Sequence, residues 1–403
     1  MKKRRGSVKK RPPGRGGPLA GIRVLDFTRV VAGPYCTMLL GDFGAEIIKV
    51  EEPGVGDELR ALGPPFIGGE SVFFLSLNRN KKSAALDLKD AEHRDRIRAL
   101  ARSVDVIVEN FRPGVMERLG LGWPALRRAN PRLVYCSVSA FNAGTRLGDR
   151  PGYDLMISGL SGLQSMTGEP GRAPLRPGVN LVDLTAGTNA ALGILLAVID
   201  RQRTGRGQKV DVSLMDGAFA ILGQLAAIYL NTGTVPQRRS PEDLHGQIVP
   251  YGTFLALDDR YLNVCVPNNK FWAAFCEALD EPALGADPDF ATNAQRVVRR
   301  EELIARLSAR FRTGTRDQWL ERLLARGIPA GPVHTIDEVV KDGYVDEAGM
   351  LTRMNHPTCG PIVVPGIPIR LSATPGAIRL PPPTLGQHTS AVLGTPRRRP
   401  RTR

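Results

Sequence analysis

Apolar positions along the chain come in short runs that switch between two periods. Ile22–Asp26, rich in Ile, Val and Leu, reads as a buried strand. Gly33 and Pro34 break it, and Pro34–Phe43 has helical spacing with Pro in the first turn. Glu46–Glu51 is a second strand, closed by a Pro/Gly loop at 53–56. Ser83–Asp87 predicts a strand, Ala91–Ala101 a charged helix, and Val104–Glu109 and Leu133–Ser139 two further strands. Strands alternating with helices imply an α/β fold, a mostly parallel sheet with helices on both faces. Ligands of such sheets sit at the carboxyl ends of strands, where Arg29, Asn110 and Phe111 fall.

The pattern continues with helices at Leu155–Gln164 and Leu184–Gln202, the latter stopped by Thr204-Gly205-Arg206-Gly207. Lys209–Ser213 alternates like a strand, and Asp216–Asn231 predicts one apolar helix. Residues 233–252 are polar and loop-like and read as a linker. Thr253–Ala256 and Tyr261–Val266 predict a hairpin across Asp258-Asp259. Helices follow at Lys270–Leu279, Arg296–Phe311 and Arg316–Arg326, and from Gly331 the chain turns rich in Pro and Gly, with short extended pieces up to Leu371. No internal repeat is visible.

Composition narrows the class. With 403 residues, 42% hydrophobic and 24% charged, the chain has the profile of an ordinary globular protein able to bury a large core. The longest apolar run, Ala190–Ile199, is short of the roughly 20 residues that cross a bilayer, and no secretory h-region is present. The net charge of +15 changes meaning once located: thirteen of those charges lie in residues 1–17 and 396–403, leaving +2 for the body. The basicity therefore belongs to two Pro/Gly-containing tails with a capacity for nonspecific anion contact, and neither a specific nucleic-acid partner nor a membrane partner is expected. The five cysteines are scattered with no C-x-x-C pair, which favours a reducing, cytoplasmic setting. The five histidines form no ligand cluster, so no metal is expected.

Chemistry concentrates between Arg150 and Asp183. Asp154 and Asp183 each stand at the start of an apolar helical run, where an aspartate is either a plain N-cap or a reactive carboxylate. Between them a Gly/Pro loop carries Arg172 and Arg176, able to grip a carboxylate or simply solvated. Asn78–Ser83 and Glu109–Gly114 offer Lys81, Asn110 and Arg112, polar groups suited to phosphates or an adenine, or ordinary loop polarity. Arg118 follows on a short helix. P-loop, G-x-S-x-G and dinucleotide fingerprints are absent.

Longer motifs add a resemblance. LAGIRVLDFTRVVAGPYCTMLLGDFGAEIIKVE, LNRNKKSAALDLK, ENFRPGVMERLGLG, RPGYDLMISGLSG, TGRGQKVDVSLMD and PPPTLGQHT together resemble the class III CoA-transferases over about Leu19 to Leu393. HGQIVPYGTF and LRPG look most like the branch containing succinate–hydroxymethylglutarate CoA-transferase. Charge marks off basic tails at 1–17 and 395–403; between them the resemblance implies a large Rossmann-like CoA-binding domain (18–232), a linker and small α+β domain (233–330), a segment returning to the large domain (331–394), and an interlocked, ring-like homodimer. It implies CoA contacts from Arg29, Val31, Ala32, Lys81, Asn110, Phe111 and Arg118. It implies no tightly bound cofactor, with CoA thioesters and small carboxylic acids as substrates. In formyl-CoA transferase the nucleophilic aspartate lies three residues after a Gly that matches Gly168, a place that looks like Gly171 here. The candidates are then Asp183, Asp154 and Glu169, in that order. The implied reaction moves CoA from an acyl-CoA, with succinyl-CoA a candidate donor, to a free acid through an enzyme-bound thioester. The alternatives are an α-methylacyl-CoA racemase, a family with His where Tyr153 stands, and a nucleic-acid-binding protein acting through its tails.

Overall fold

The structure, a computed structural model, describes residues 16–393, so the basic tails lie outside it apart from Gly16 and Gly17. Contacts divide the chain into two compact units. The first takes the residues up to 161, then 177–223, then 345 onward; the second takes 162–176 and 224–344.

The first unit is built on six strands: β1 (Arg23–Asp26), β2 (Glu46–Glu51), β3 (Lys81–Ala85), β4 (Val106–Glu109), β5 (Val134–Ser139) and β6 (Lys209–Ser213). Their order is β3-β2-β1-β4-β5-β6, and every neighbouring pair is parallel. Val24, Leu25, Ile47, Ile48, Ile107 and Val108 are all but inaccessible. The continuous apolar runs thus belong to a sheet covered on both faces. The order reverses at β1, which pairs with β2 on one side and β4 on the other. Loops leaving β1 and β4 diverge there and open a crevice at the carboxyl edge.

Six helices of this unit matter here: α1 (Ala32–Asp42), α2 (Ala91–Ala101), α3 (Val115–Arg118), α4 (Asp154–Leu160), α5 (Leu181–Thr204) and α6 (Leu214–Ala220). Side chains start three of the unit's turns. The Asp90 carboxylate accepts from His93 N at 3.0 Å to cap α2, and the Ser213 hydroxyl accepts from Asp216 N at 3.0 Å to cap α6. Asp57 caps the short turn Glu58–Ala61 in the same way, accepting from Leu59 N. α5 packs on α1 and on β5 and β6. It ends where the Gly stop predicts, with Gly205 left-handed at φ +75° and its N–H donating to Arg201 O. By length and composition α5 could cross a membrane; here it is the helix on which the sheet and α1 pack.

The second unit holds α7 (Gln224–Thr232) and a three-stranded antiparallel sheet, order β9-β8-β7, of β7 (Tyr251–Leu255), β8 (Tyr261–Cys265) and β9 (Ala330–Pro332). The predicted hairpin is β7–β8, with Asp259 left-handed in its turn. Its core gathers Phe254, Leu262, Trp272, Phe275, Phe311 and Trp319 under α8 (Trp272–Ala278), α9 (Arg300–Phe311) and α10 (Arg316–Ala325). Back in the first unit, β10 (Leu351–His356) and β11 (Gly360–Pro365) form a hairpin. The chain then attaches to edge strand β3, where His388 N donates to Ser83 O and Ala85 N to Thr389 Oγ1.

Several expectations shift. The single helix predicted over Asp216–Asn231 is two, α6 and α7, broken around Gly223, which is left-handed at φ +49°. The helix predicted to run to Gln164 stops at Leu160. β3 starts at Lys81, two residues before the apolar run.

Candidate active site

A cleft of about 350 Å³ lies at the reversal of strand order in the first unit. Residues at and after four strand ends build it: Arg29, Val31 and Ala32 after β1; Asn110, Phe111 and Arg112 after β4; Ser139, the last residue of β5, and Ala140 after it; and Leu214 after β6. Arg150, Tyr153 and Asp183 complete its wall.

The β1–α1 turn is held tightly. The Asn110 amide clasps the Arg29 peptide, accepting its N–H at 2.9 Å and donating to its carbonyl at 2.8 Å. The Arg29 guanidinium lies 4.8 Å from the Phe111 ring centroid and 3.8 Å from Glu58. α1 starts beside this turn with no side-chain cap, so the positive end of its dipole faces the cleft. Behind the lining, the buried Glu109 at the end of β4 accepts from Phe111 N at 2.9 Å. Burial pushes the Glu109 carboxyl up to about 7, against the Ser137 hydrogen bond that opposes it.

The two aspartates divide their work in a way helix-start spacing does not reveal. Asp154 is the first residue of α4, and Asp183 lies within the first turn of α5 after N-cap Asn180. The buried Asp154 carboxylate reaches the other helix: its Oδ2 accepts from Val182 N at 2.9 Å and Asp183 N at 3.3 Å. The half-buried Asp183 faces the cleft, and the Asn180 amide donates to its Oδ2 at 3.4 Å. Neither aspartate is the N-cap of its own helix: Tyr153 stands at the cap position of α4, and α5 starts three residues earlier than its apolar pattern, which puts Asn180 at the cap.

Among the expected CoA contacts, Arg29, Val31, Ala32, Asn110 and Phe111 come together on the cleft. Lys81 does not line it. Its ammonium is fully buried, donating to Pro34 O at 2.9 Å, Asn78 Oδ1 at 3.0 Å and Asp26 Oδ2 at 3.3 Å. Burial pulls it down to about 8, against the pull of Asp26. The reason is topological: Lys81 opens β3, at the amino edge of the sheet, and its ammonium reaches the Pro34 carbonyl in α1. Arg118 is exposed on α3, with Nη1 near Gly114, and is outside the lining. Glu169 is exposed in a loop of the second unit, which also carries Arg172 and Arg176. Arg150, Ser139, Ala140 and Leu214 had not been singled out as site residues; their signal was their position at or after the ends of β5 and β6. Among the described residues, no group of three or more His, Cys, Asp or Glu is arranged to hold a metal ion.

Chemically, the cleft offers a carboxylate in a helix's first turn, cations from Arg29, Arg112 and Arg150, and a helix N-terminus. Those groups suit a phosphate-bearing thioester presented to a carboxylate nucleophile.

Comparison with known proteins identifies the family. Residues 19–389 match CoA-transferase family III. The chain is 42% identical over 378 residues to a succinyl-CoA:glutarate CoA-transferase of Mus musculus, covering 93% of this chain and 86% of that protein. It is 36% identical over 389 residues to a succinate–glutarate CoA-transferase of Agrobacterium fabrum, covering 94% and 96%. A crystal structure of a CAIB/BAIF family protein from Brucella suis aligns with a TM-score of 0.84 at 35% identity, covering 94% of this chain and 99% of that one.

Proposed function

The chain belongs to CoA-transferase family III, and from that premise we propose that the cleft at the β1–β4 reversal is its transfer site, with Asp183 as nucleophile. It moves CoA from an acyl-CoA thioester to a free carboxylic acid. The relatives' names favour succinyl-CoA as donor and a short dicarboxylic acid such as glutarate as acceptor.

The steps balance without a proton. An Asp183 oxygen attacks the donor carbonyl; the C–S bond breaks, giving a mixed anhydride and CoA thiolate. The thiolate attacks the Asp183 carboxyl carbon, forming an enzyme–CoA thioester and releasing the donor acid. The acceptor carboxylate attacks that thioester carbonyl, regenerating an anhydride and thiolate. The thiolate then takes the acceptor acyl group and Asp183 is free again. Arg29, Arg112 and Arg150 supply the positive charge that the phosphates and a second carboxylate need. Asp154 positions the first turn of α5.

The carrying observation is Asp183 on the cleft wall with its backbone N–H held by Asp154. Incubation with succinyl-CoA, trapping by hydroxylamine or borohydride, and peptide mapping test it. A label on Asp183 is expected. A label on Asp154 or Glu169 would move the nucleophile, and α-proton exchange without CoA movement would replace transfer with racemisation.

Assembly and setting are part of the proposal. α5 exposes Leu192, Leu196 and Ile199 at 55, 58 and 63%, spaced as one helical stripe. A second copy covering it, in an interlocked homodimer, accounts for that stripe. Five free thiols favour a reducing cytoplasm.

A further inference from the structure

The turn that brings Arg29 to the cleft contains a β-branched residue, Val30, in the left-handed region at φ +66°. Such a side chain keeps that conformation only where its surroundings impose it. Asn110 grips the turn from the side, as described. From below it is gripped by a fully buried ion pair. Asp57 Oδ1 accepts from Val30 N at 3.1 Å and from Leu59 N at 3.0 Å. Its Oδ2 meets Lys49 Nζ at 2.7 Å, and the same ammonium donates to Thr28 O at 2.7 Å. The pair therefore holds Thr28 and Val30, one on each side of Arg29. Burial resists ionising either partner, yet Lys49 holds the Asp57 carboxyl below its ordinary range, and Asp57 holds the Lys49 ammonium above its own. The far end of the turn meets the helix of Asp183: a Cβ built on Gly187, one helical turn after Asp183, would lie 2.5 Å from the Ala32 carbonyl oxygen. The turn is thus fixed by charges on one side and stands against the nucleophile's helix on the other.

We infer that Asp57, through its buried pair with Lys49, is a positioning residue for CoA transfer, holding Val30 left-handed so that Arg29 and residues 30–32 keep their place beside Asp183. This rests on the cleft being the transfer site. If Asp57 only stabilises the fold, its loss lowers the melting temperature, and easing the backbone at residue 30 restores no turnover.

The test is a double-mutant cycle with Asp57→Asn, Val30→Gly and the pair, read as kcat/KM for succinyl-CoA with glutarate as acceptor and as thermal melts. A neutral amide at this position cannot anchor both Lys49 and the Val30 N–H as the carboxylate does, so Asp57→Asn is expected to lose about tenfold in kcat/KM while keeping a native circular dichroism spectrum. Glycine adopts φ +66° without force, so Val30→Gly should improve the Asp57→Asn enzyme by roughly threefold relative to its effect in the wild-type background. A loss of turnover that Val30→Gly does not relieve overturns the positioning role and leaves the cleft assignment standing. Unchanged kcat/KM in folded Asp57→Asn overturns it as well, and Asp183→Asn then decides whether the cleft assignment falls too. Should Asp57→Asn not fold, Asp57→Glu keeps the charge beside Lys49 and displaces the acceptor. The same loss and the same relief are expected of it, and loss without relief refutes the inference.

Discussion

At Asp154 a carboxylate beginning one short helix receives two backbone donors from the first turn of another. Asp154→Ala strands those buried N–H groups, at about 1–3 kcal/mol for an unsatisfied donor. Melting temperature and kcat should both fall, kcat by about tenfold, because the turn carrying Asp183 loosens. Asp154→Asn retains an oxygen acceptor and should lose less; melts and initial rates compare the two. Glu109 gives a pH-dependent prediction. Its folded-state value, about 7, lies above the ordinary 4.5, so the fold favours the protonated acid, and that stability is lost as pH rises through 7, on the order of 3 kcal/mol. Glu109→Gln has no charge to bury, so its melting temperature relative to wild type should rise between pH 5 and pH 8.5. A constant difference would refute the assignment. At this scale the sequence showed which residue types gather at the site, since Arg29, Asn110 and Phe111 from strand ends and Asp183 from a helix start line one cleft. Lys81 and Asp57 were opaque. A buried charge is explained by its partners, and apolar patterning records neither: Asp26, 55 residues away, for Lys81, and Lys49, across the loop after β2, for Asp57.

Between elements, α1 and α5 approach so closely that Gly187 has no room for a methyl group. Gly187→Ala places a carbon 2.5 Å from backbone oxygen that cannot rotate away, so the helices must separate. A cost of about 1–3 kcal/mol and a fall in kcat/KM of at least about tenfold are expected, measured by melts and steady-state kinetics. Element order and the parallel sheet were legible, because alternating periods survive local noise. Boundaries were less so. Apolar periodicity runs straight through the break near Gly223, hiding that Leu214–Ala220 and Gln224–Thr232 are separate helices. Lys81 begins its strand because it pairs with Ile47, a partnership that no apolar run records.

For the molecule as a whole, the Leu192–Leu196–Ile199 stripe predicts that sedimentation at micromolar concentration finds a dimer, and that Leu196→Asp shifts it toward monomer or aggregate. A wild-type monomer would refute that assembly. The charges beneath the cleft have a different consequence. Lys49, Asp57, Lys81 and Asp26 are at most 2% exposed, so dissolved ions cannot reach them, whereas Arg112 and Arg150 are exposed. Added potassium chloride therefore separates grip from architecture: with a Debye length of about 3 Å at 1 M, the enzyme should bind its polyanionic thioester more weakly while melting at nearly the same temperature.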